Sequence, residues 1–313
     1  MKNLIGLTIL LFCSSLFAQY EQKNDLTNIK LNGKVKIITT IDPKLIDPYK
    51  TIIKYNELGN KIETLYFSYN NNKLKMSGRE SYKYDSKNRL IEYKSSGDHF
   101  KEIYKYDEND SLIEKSSFIK NNKPLYKYLF VYDKNKIIES FFTNYEYATT
   151  PVKCEYLYED NKLIERHCLK PNEKTISKES YIYNQNNLIS YVITDSLGNI
   201  TSKYDYNYPK DNIMIVKEYR INDSLEIKST TTYNNSLIIE VQGHKTNSHY
   251  KYSYDNQGNS VLTEFFRNGI LEEKIIIEYI YDNNKNWIKE SITSTIQYSP
   301  YNNSVVNRVI EYY

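Results

Sequence analysis

Tyrosines two apart, a short polar run and then two adjacent aliphatic residues recur along nearly the whole chain. Examples are YKYDSKNRLIEY from Tyr82 and YKYDENDSLIE from Tyr104. Residues two apart share one face of a strand, so Tyr82 with Tyr84, Tyr104 with Tyr106, Tyr156 with Tyr158, Tyr181 with Tyr183, Tyr252 with Tyr254 and Tyr279 with Tyr281 each form a one-sided pair. The residue between is Lys83, Lys105, Leu157, Ile182, Ser253 or Ile280, which leaves the opposite face wet in some repeats and apolar in others. The polar run reads as a tight hairpin turn. Gly59, Asn88 and Gly258 fall four residues after their Tyr, where a type I turn closing on a left-handed residue takes Gly or Asn at least cost.

The last Tyr of each word, or its nearest equivalent, falls at Tyr55, Tyr84, Tyr106, Tyr132, Tyr158, Tyr183, Tyr206, Tyr233, Tyr254 and Tyr281. The spacing averages about 25 residues, a period that marks stacked supersecondary units. A second series of turn words interleaves with the first, at Asn70, Ser95, Lys120, Lys170, Asp195 and Arg267, so each repeat holds two strands of about eight residues. The pattern predicts an all-β fold: a repetitive antiparallel meander of about ten two-stranded hairpins, with the sheet open or coiled by strand twist. No multi-turn helix is expected between Tyr55 and Tyr281.

These words resemble the YD repeats of the RHS family, in which Tyr-Asp precedes a turn glycine and an aliphatic pair. Asp85, Asp107, Asp133, Asp255 and Asp282 take the Asp position; Glu159, Asn56, Asn184, Asn207 and Asn234 depart from it. The opening LNGKVKIITT at Leu31 and the ending from Tyr281 are similar to exported YD-repeat-like proteins of Bacteroidetes. The resemblance implies a strip of β-hairpins. Nothing resembling the self-cleaving core of toxin-enclosing RHS shells follows Tyr281, and the Asp-Pro pairs, Asp42-Pro43 and Asp47-Pro48, lie at the other end.

Tyrosine supplies 34 of 313 residues against 10 Phe and 1 Trp, a composition that fits half-buried pleated surfaces. Lys2 precedes an apolar run from Leu4 to Phe12 and a small-residue exit at Ala18, the layout of a secretory signal peptide. Residues 1–18 are therefore expected to be removed, leaving 19–313 as one repeat domain, exported to the periplasm or beyond. Lipid attachment at Cys13 is disfavoured because Phe12 stands where a small residue is needed. No later stretch is long and apolar enough for a membrane-spanning helix. The formal charge of +3, with Lys and Glu interspersed, does not advertise a nucleic acid partner.

A residue that returns in every repeat serves the repeat, so chemistry should interrupt the pattern. Glu92, Glu114, Glu139 and Glu165 all follow the aliphatic pair and read as a cross-strand charge ladder. QGHKTNSHY breaks the pattern with His244 and His249 in a turn, but no third ligand with metal spacing accompanies them. Neither a phosphate-cradling loop, a GxSxG elbow nor HExxH occurs, and no cofactor is implied. Tyr82, Tyr84, Tyr104, Tyr106 and Trp287 are the candidates for a ligand-stacking surface, since Tyr and Trp offer an apolar face with a polar tip. Three DSL words, at Asp110, Asp195 and Asp223, fall in turns and resemble an O-glycosylation motif of Bacteroidetes.

Cys154 and Cys168 bracket one hairpin, CEYLYEDNKLIERHC. An odd loop centred on Asn161 sets the thiols opposite each other, within reach of a disulfide if the pair is not hydrogen-bonded. A two-residue loop at Asp160-Asn161 sets Cys154 against His167 instead. The sequence leaves both registers open. The expected function is a non-enzymatic exported scaffold that binds an envelope protein or glycan. The alternatives are a glycan-active enzyme with its site in an irregular loop, and an outer-membrane β-barrel.

Overall fold

The computed structural model describes Asp25 and residues 31–313, apart from 44–48, 72, 97–98, 147–149, 171–174, 222–224 and 297–303. The signal peptide, the segment from Gln19 to Lys30 other than Asp25, and Asp223 and Ser224 of the third DSL word lie outside the described residues. Among the described residues twenty-two strands, from Val35–Ile41 to Ser304–Tyr312, make one antiparallel sheet in which sequence neighbours pair. Between Tyr55 and Tyr281 the described residues hold one helical element, a single 3-10 turn at Lys120–Asn122 within the second series of turns.

The first strand also pairs with the last. Ile38 faces Ile310, Thr39 faces Val309 and Ile41 faces Asn307. The expected open or coiled sheet is thus corrected to a closed β-barrel. Twist makes a long meander coil, and joining its two ends removes the edges that would otherwise present unpaired N–H and C=O groups. A ring of this many strands encloses more space than its own side chains fill.

Alternate connections lie at opposite rims, and ten of them occupy the rim of the Tyr words. Five are five-residue turns built alike: Asn56, Asp85, Asp107, Asp255 and Asp282 each accept, through Oδ1, the backbone N–H groups two and four residues ahead, at 2.8–3.1 Å. The residue three after this Asp or Asn is left-handed: Gly59, Asn88, Asp110, Gly258 and Lys285, with φ of 82°, 65°, 67°, 80° and 63°. The other five are two-residue turns, among them Lys134-Asn135, Asp160-Asn161 and Asn235-Ser236, with both residues at positive φ as a type I′ turn requires.

The aliphatic pair has its explanation here. In nine of these ten hairpins the register shifts at the last Tyr of the word; Lys83 faces Glu92 while Tyr84 faces Leu90, leaving Ile91 as an extra residue. In six of the nine, at Tyr84, Tyr106, Tyr132, Tyr158, Tyr183 and Tyr233, two adjacent aliphatic residues therefore oppose one tyrosine across a β-bulge; Lys61-Ile62, Ser260-Val261 and Trp287-Ile288 do so at Tyr55, Tyr254 and Tyr281. The same device combines both registers considered for the cysteines. The turn at Asp160-Asn161 has two residues, Tyr158 faces Leu163, and the bulge at Ile164 then sets Cys154 against Cys168. The two are joined by a disulfide, with Cα atoms 4.0 Å apart.

The wall is a single layer. Nine apolar residues are buried among those described, most of them in two patches, one around Cys154, Tyr156, Leu163 and Cys168 and one around Val35, Ile38 and Tyr55 at the closure. The tyrosine face is half-buried, while Lys83, Lys105, Leu157, Ile182, Ser253 and Ile280 on the other face are exposed.

Candidate functional site

On the exposed face the acidic residue after each aliphatic pair meets lysines of the flanking strands. Glu92 holds Lys83 at 3.0 Å, Lys94 at 2.8 Å and Lys101 at 3.4 Å; Glu114 lies 3.1 Å from Lys105 and 3.3 Å from Lys127. Glu139 pairs with Lys153 at 2.6 Å and Glu165 with Lys178 at 2.7 Å. The charge ladder read from the sequence is a belt of alternating sign across these strands, and Lys54, Glu63 and Arg79 extend it. Each carboxylate has two or three ammonium neighbours or one close partner. Such a belt suits a structural role better than general acid catalysis, which needs a proton on the acid.

The five aromatic candidates lie on the other face, and each is engaged by the fold. Tyr84 and Tyr106 donate their hydroxyls to the carbonyls of Lys61 and Leu90 in the preceding hairpin, at 2.8 and 2.9 Å. Tyr132, Tyr208 and Tyr254 repeat this contact on Leu112, Leu188 and Ile238. Tyr281 and Tyr312 donate instead to the turn carboxylates of Asp255 and Asp282. The aspartate therefore closes its own turn, and the tyrosine ties that hairpin to the one before. Tyr82 packs on Tyr93 at 5.2 Å between centroids, and the Arg89 guanidinium covers Tyr106 at 4.6 Å. One face of Trp287 carries Arg308, 3.2 Å from its ring centroid, so the indole is a packed partner within the wall.

Sequence reading missed the carboxylates of this face. Glu80 accepts from Tyr82 at 2.7 Å and Tyr93 at 3.1 Å. Glu102 accepts from Tyr104, Tyr126 and Ser117 at 2.5, 2.8 and 3.1 Å, with Lys115 at 2.8 Å. Glu179 accepts from Tyr181 at 2.7 Å and from Arg166 at 2.5 Å. The signal was present as Glu two residues before the first Tyr, in ESYKY, EIYKY and ESYIY. Burial pushes the Glu102 carboxyl up, but the bonds from Lys115, Tyr104 and Tyr126 outweigh it and hold the group below its ordinary value. Burial and its bond to Glu102 push the Tyr104 phenol well above the usual tyrosine range.

The pattern-breaking histidines sit at the second rim. His244 meets Thr230 Oγ1 through Nε2 at 2.8 Å, and His249 meets Glu240 through Nε2 at 2.5 Å. A cavity of about 470 Å³ opens beside them. Among the described residues no three His, Cys, Asp or Glu side chains gather as a metal site, and no helix is long and apolar enough to cross a membrane; β-strands are a separate matter.

Fold and wall together define a closed antiparallel β-barrel of hairpin repeats. No protein-family model matches the chain, and no curated protein does. Among solved structures, a porin-like protein from Bacteroides uniformis aligns over 90% of this chain and 98% of its own at 12% identity, with a TM-score of 0.32. A porin-like protein from Bacteroides vulgatus aligns over 89% and 98% at 12% identity and a TM-score of 0.24. The TcdB2-TccC3-TEV structure aligns over 80% of this chain but 16% of its own, at 11% identity and a TM-score of 0.32. Superpositions at such scores carry no argument about what this chain does.

Proposed function

We propose that the chain is an exported, non-enzymatic β-barrel of the cell envelope that stands in water and holds a protein or glycan partner at a rim or within its ring. The observation that supports this most is the charge on both faces of the wall. The exposed face carries the Lys–Glu belt through the middle of its strands, and the tyrosine face carries Glu80, Glu102 with Lys115, and Arg166 with Glu179. A barrel embedded in lipid needs one face apolar over about 25 Å. Neither face offers that.

Closure itself favours a second reading, an outer-membrane barrel. A closed barrel and a helix are the two architectures that satisfy every backbone group in lipid, and an open strip would have excluded this option. Expression in a native-type host followed by fractionation separates the readings. The aqueous barrel is released with the soluble periplasmic or extracellular fraction without detergent. Recovery solely from detergent-extracted outer membrane would replace it with the second reading.

A further inference from the structure

We infer that the cleft between the hairpin ends at 242–249 and 268–269 is a binding site for a neutral saccharide. The inference deepens the reading of the barrel as a non-enzymatic binder. It starts from the segment that departs from the repeat, QGHKTNSHY, where a four-residue connection follows Gly243. This connection stands beside the turn Asn268-Gly269, and the backbone N–H of Asn268 donates to the carbonyl of Asn247 at 3.0 Å, fixing the two ends side by side. The groove between them, open to solvent and polar in its lining, has a volume of about 470 Å³.

The lining decides the class of ligand. Gln242, His244, Asn247, Ser248, His249 and Asn268 bring amides, imidazoles and a hydroxyl, and the lining includes no carboxylate, ammonium or guanidinium. An anion would call for fixed positive charge and an apolar ligand for apolar walls. Adjacent sugar hydroxyls each donate and accept, which is what an amide's paired oxygen and nitrogen match. The two rings are held in place through Nε2, by Thr230 at 2.8 Å and by Glu240 at 2.5 Å. Phe266 packs beside His249 at 5.6 Å between centroids and stiffens that wall. The absence of a side chain at Gly243 lets the Thr246 and Ser248 hydroxyls close over it; a Cβ there would come within 2.7 and 2.6 Å of them.

The test uses the mature chain on an array of glucose, mannose, galactose and N-acetylglucosamine oligomers printed beside sialylated and uronic-acid counterparts, with calorimetric titration of the strongest neutral binder. Asn247 and Asn268 have φ of 45° and 51°, so the double variant Asn247→Gly with Asn268→Gly removes both amides while keeping turns that glycine suits. Its affinity is expected to fall about tenfold or more, as loss of two hydrogen bonds implies, with a melting temperature no lower than the parent's; His244→Ala gives a second, independent loss. Absence of any saccharide binding at millimolar concentration, binding confined to acidic glycans, or variants that bind like the parent would each overturn the site. Fractionation reads location alone, so failure here leaves the aqueous-barrel reading standing, and the reverse also holds.

Discussion

At the residue scale, the repeated word has two jobs, and both are hydrogen bonds. Asp107 illustrates the first, since its Oδ1 accepts the N–H groups of Asn109 and Ser111 at 3.0 and 2.8 Å. Asp107→Ala leaves two turn donors to water and is expected to cost about 1–2 kcal/mol, read as a lower urea midpoint. Lys285 fills the left-handed position with φ 63° where other turns use Gly59 or Gly258. A non-glycine residue there costs about 1 kcal/mol, so Lys285→Gly is expected to raise the midpoint by a similar amount, and a lower midpoint would show that another contact holds Lys285. The charge belt has a pH signature. Burial pushes the Glu92 carboxyl up, but hydrogen bonds from Lys94, Lys83 and Lys101 outweigh it and bring the group from 4.5 to about 2. A carboxyl depressed in the folded state stabilises fully above its unfolded value and loses that contribution as pH falls through the folded one. Stability should therefore decline between pH 4.5 and about 2, and Glu92→Gln should flatten that decline; an equally steep fall in the variant would place the acid sensitivity elsewhere.

At the element scale, the unit is a hairpin with a bulge beside its turn. The strands, both series of turns and the left-handed positions at Gly59, Asn88 and Gly258 were legible because each rests on local backbone chemistry. The bulge was less so. An adjacent aliphatic pair looks like ordinary strand hydrophobicity, and nothing local says that one member, such as Ile91 or Ile164, leaves the ladder. That single residue decides which face every later side chain occupies, and it brings Cys154 opposite Cys168 despite the two-residue turn. The disulfide closes a separation of 14 residues, so replacing both cysteines by serine is expected to remove up to about 3 kcal/mol in the chain-entropy model, less to the extent that the turn already restricts the loop. Thiol titration of the unfolded, unreduced chain should find neither Cys154 nor Cys168 free. The ESYKY-type carboxylates were equally visible as letters, but their role depends in part on phenols one or two strands away, such as Tyr93 on Glu80 and Tyr126 on Glu102.

At the scale of the whole molecule, closure was illegible. The pairing of Ile38 with Ile310 joins residues at the two ends of the chain, and no repeat word encodes whether the last hairpin meets the first. The words specify only how one hairpin presents itself to the next; how many hairpins complete a turn depends on twist and bulge curvature summed around the ring. Closure also turns a strip with two faces into a wall with an inside and admits the outer-membrane reading; the proposal of an aqueous barrel with a rim or lumen partner rests instead on the charge carried by both faces. Amide hydrogen exchange by mass spectrometry tests the ring directly, since an edge strand leaves half its ladder groups open to water and a closed one does not. The account predicts that amides in Val35–Ile41 and Ser304–Tyr312 are protected as strongly as those of interior strands such as Lys162–Leu169; rapid exchange confined to those two terminal strands would contradict a closed barrel.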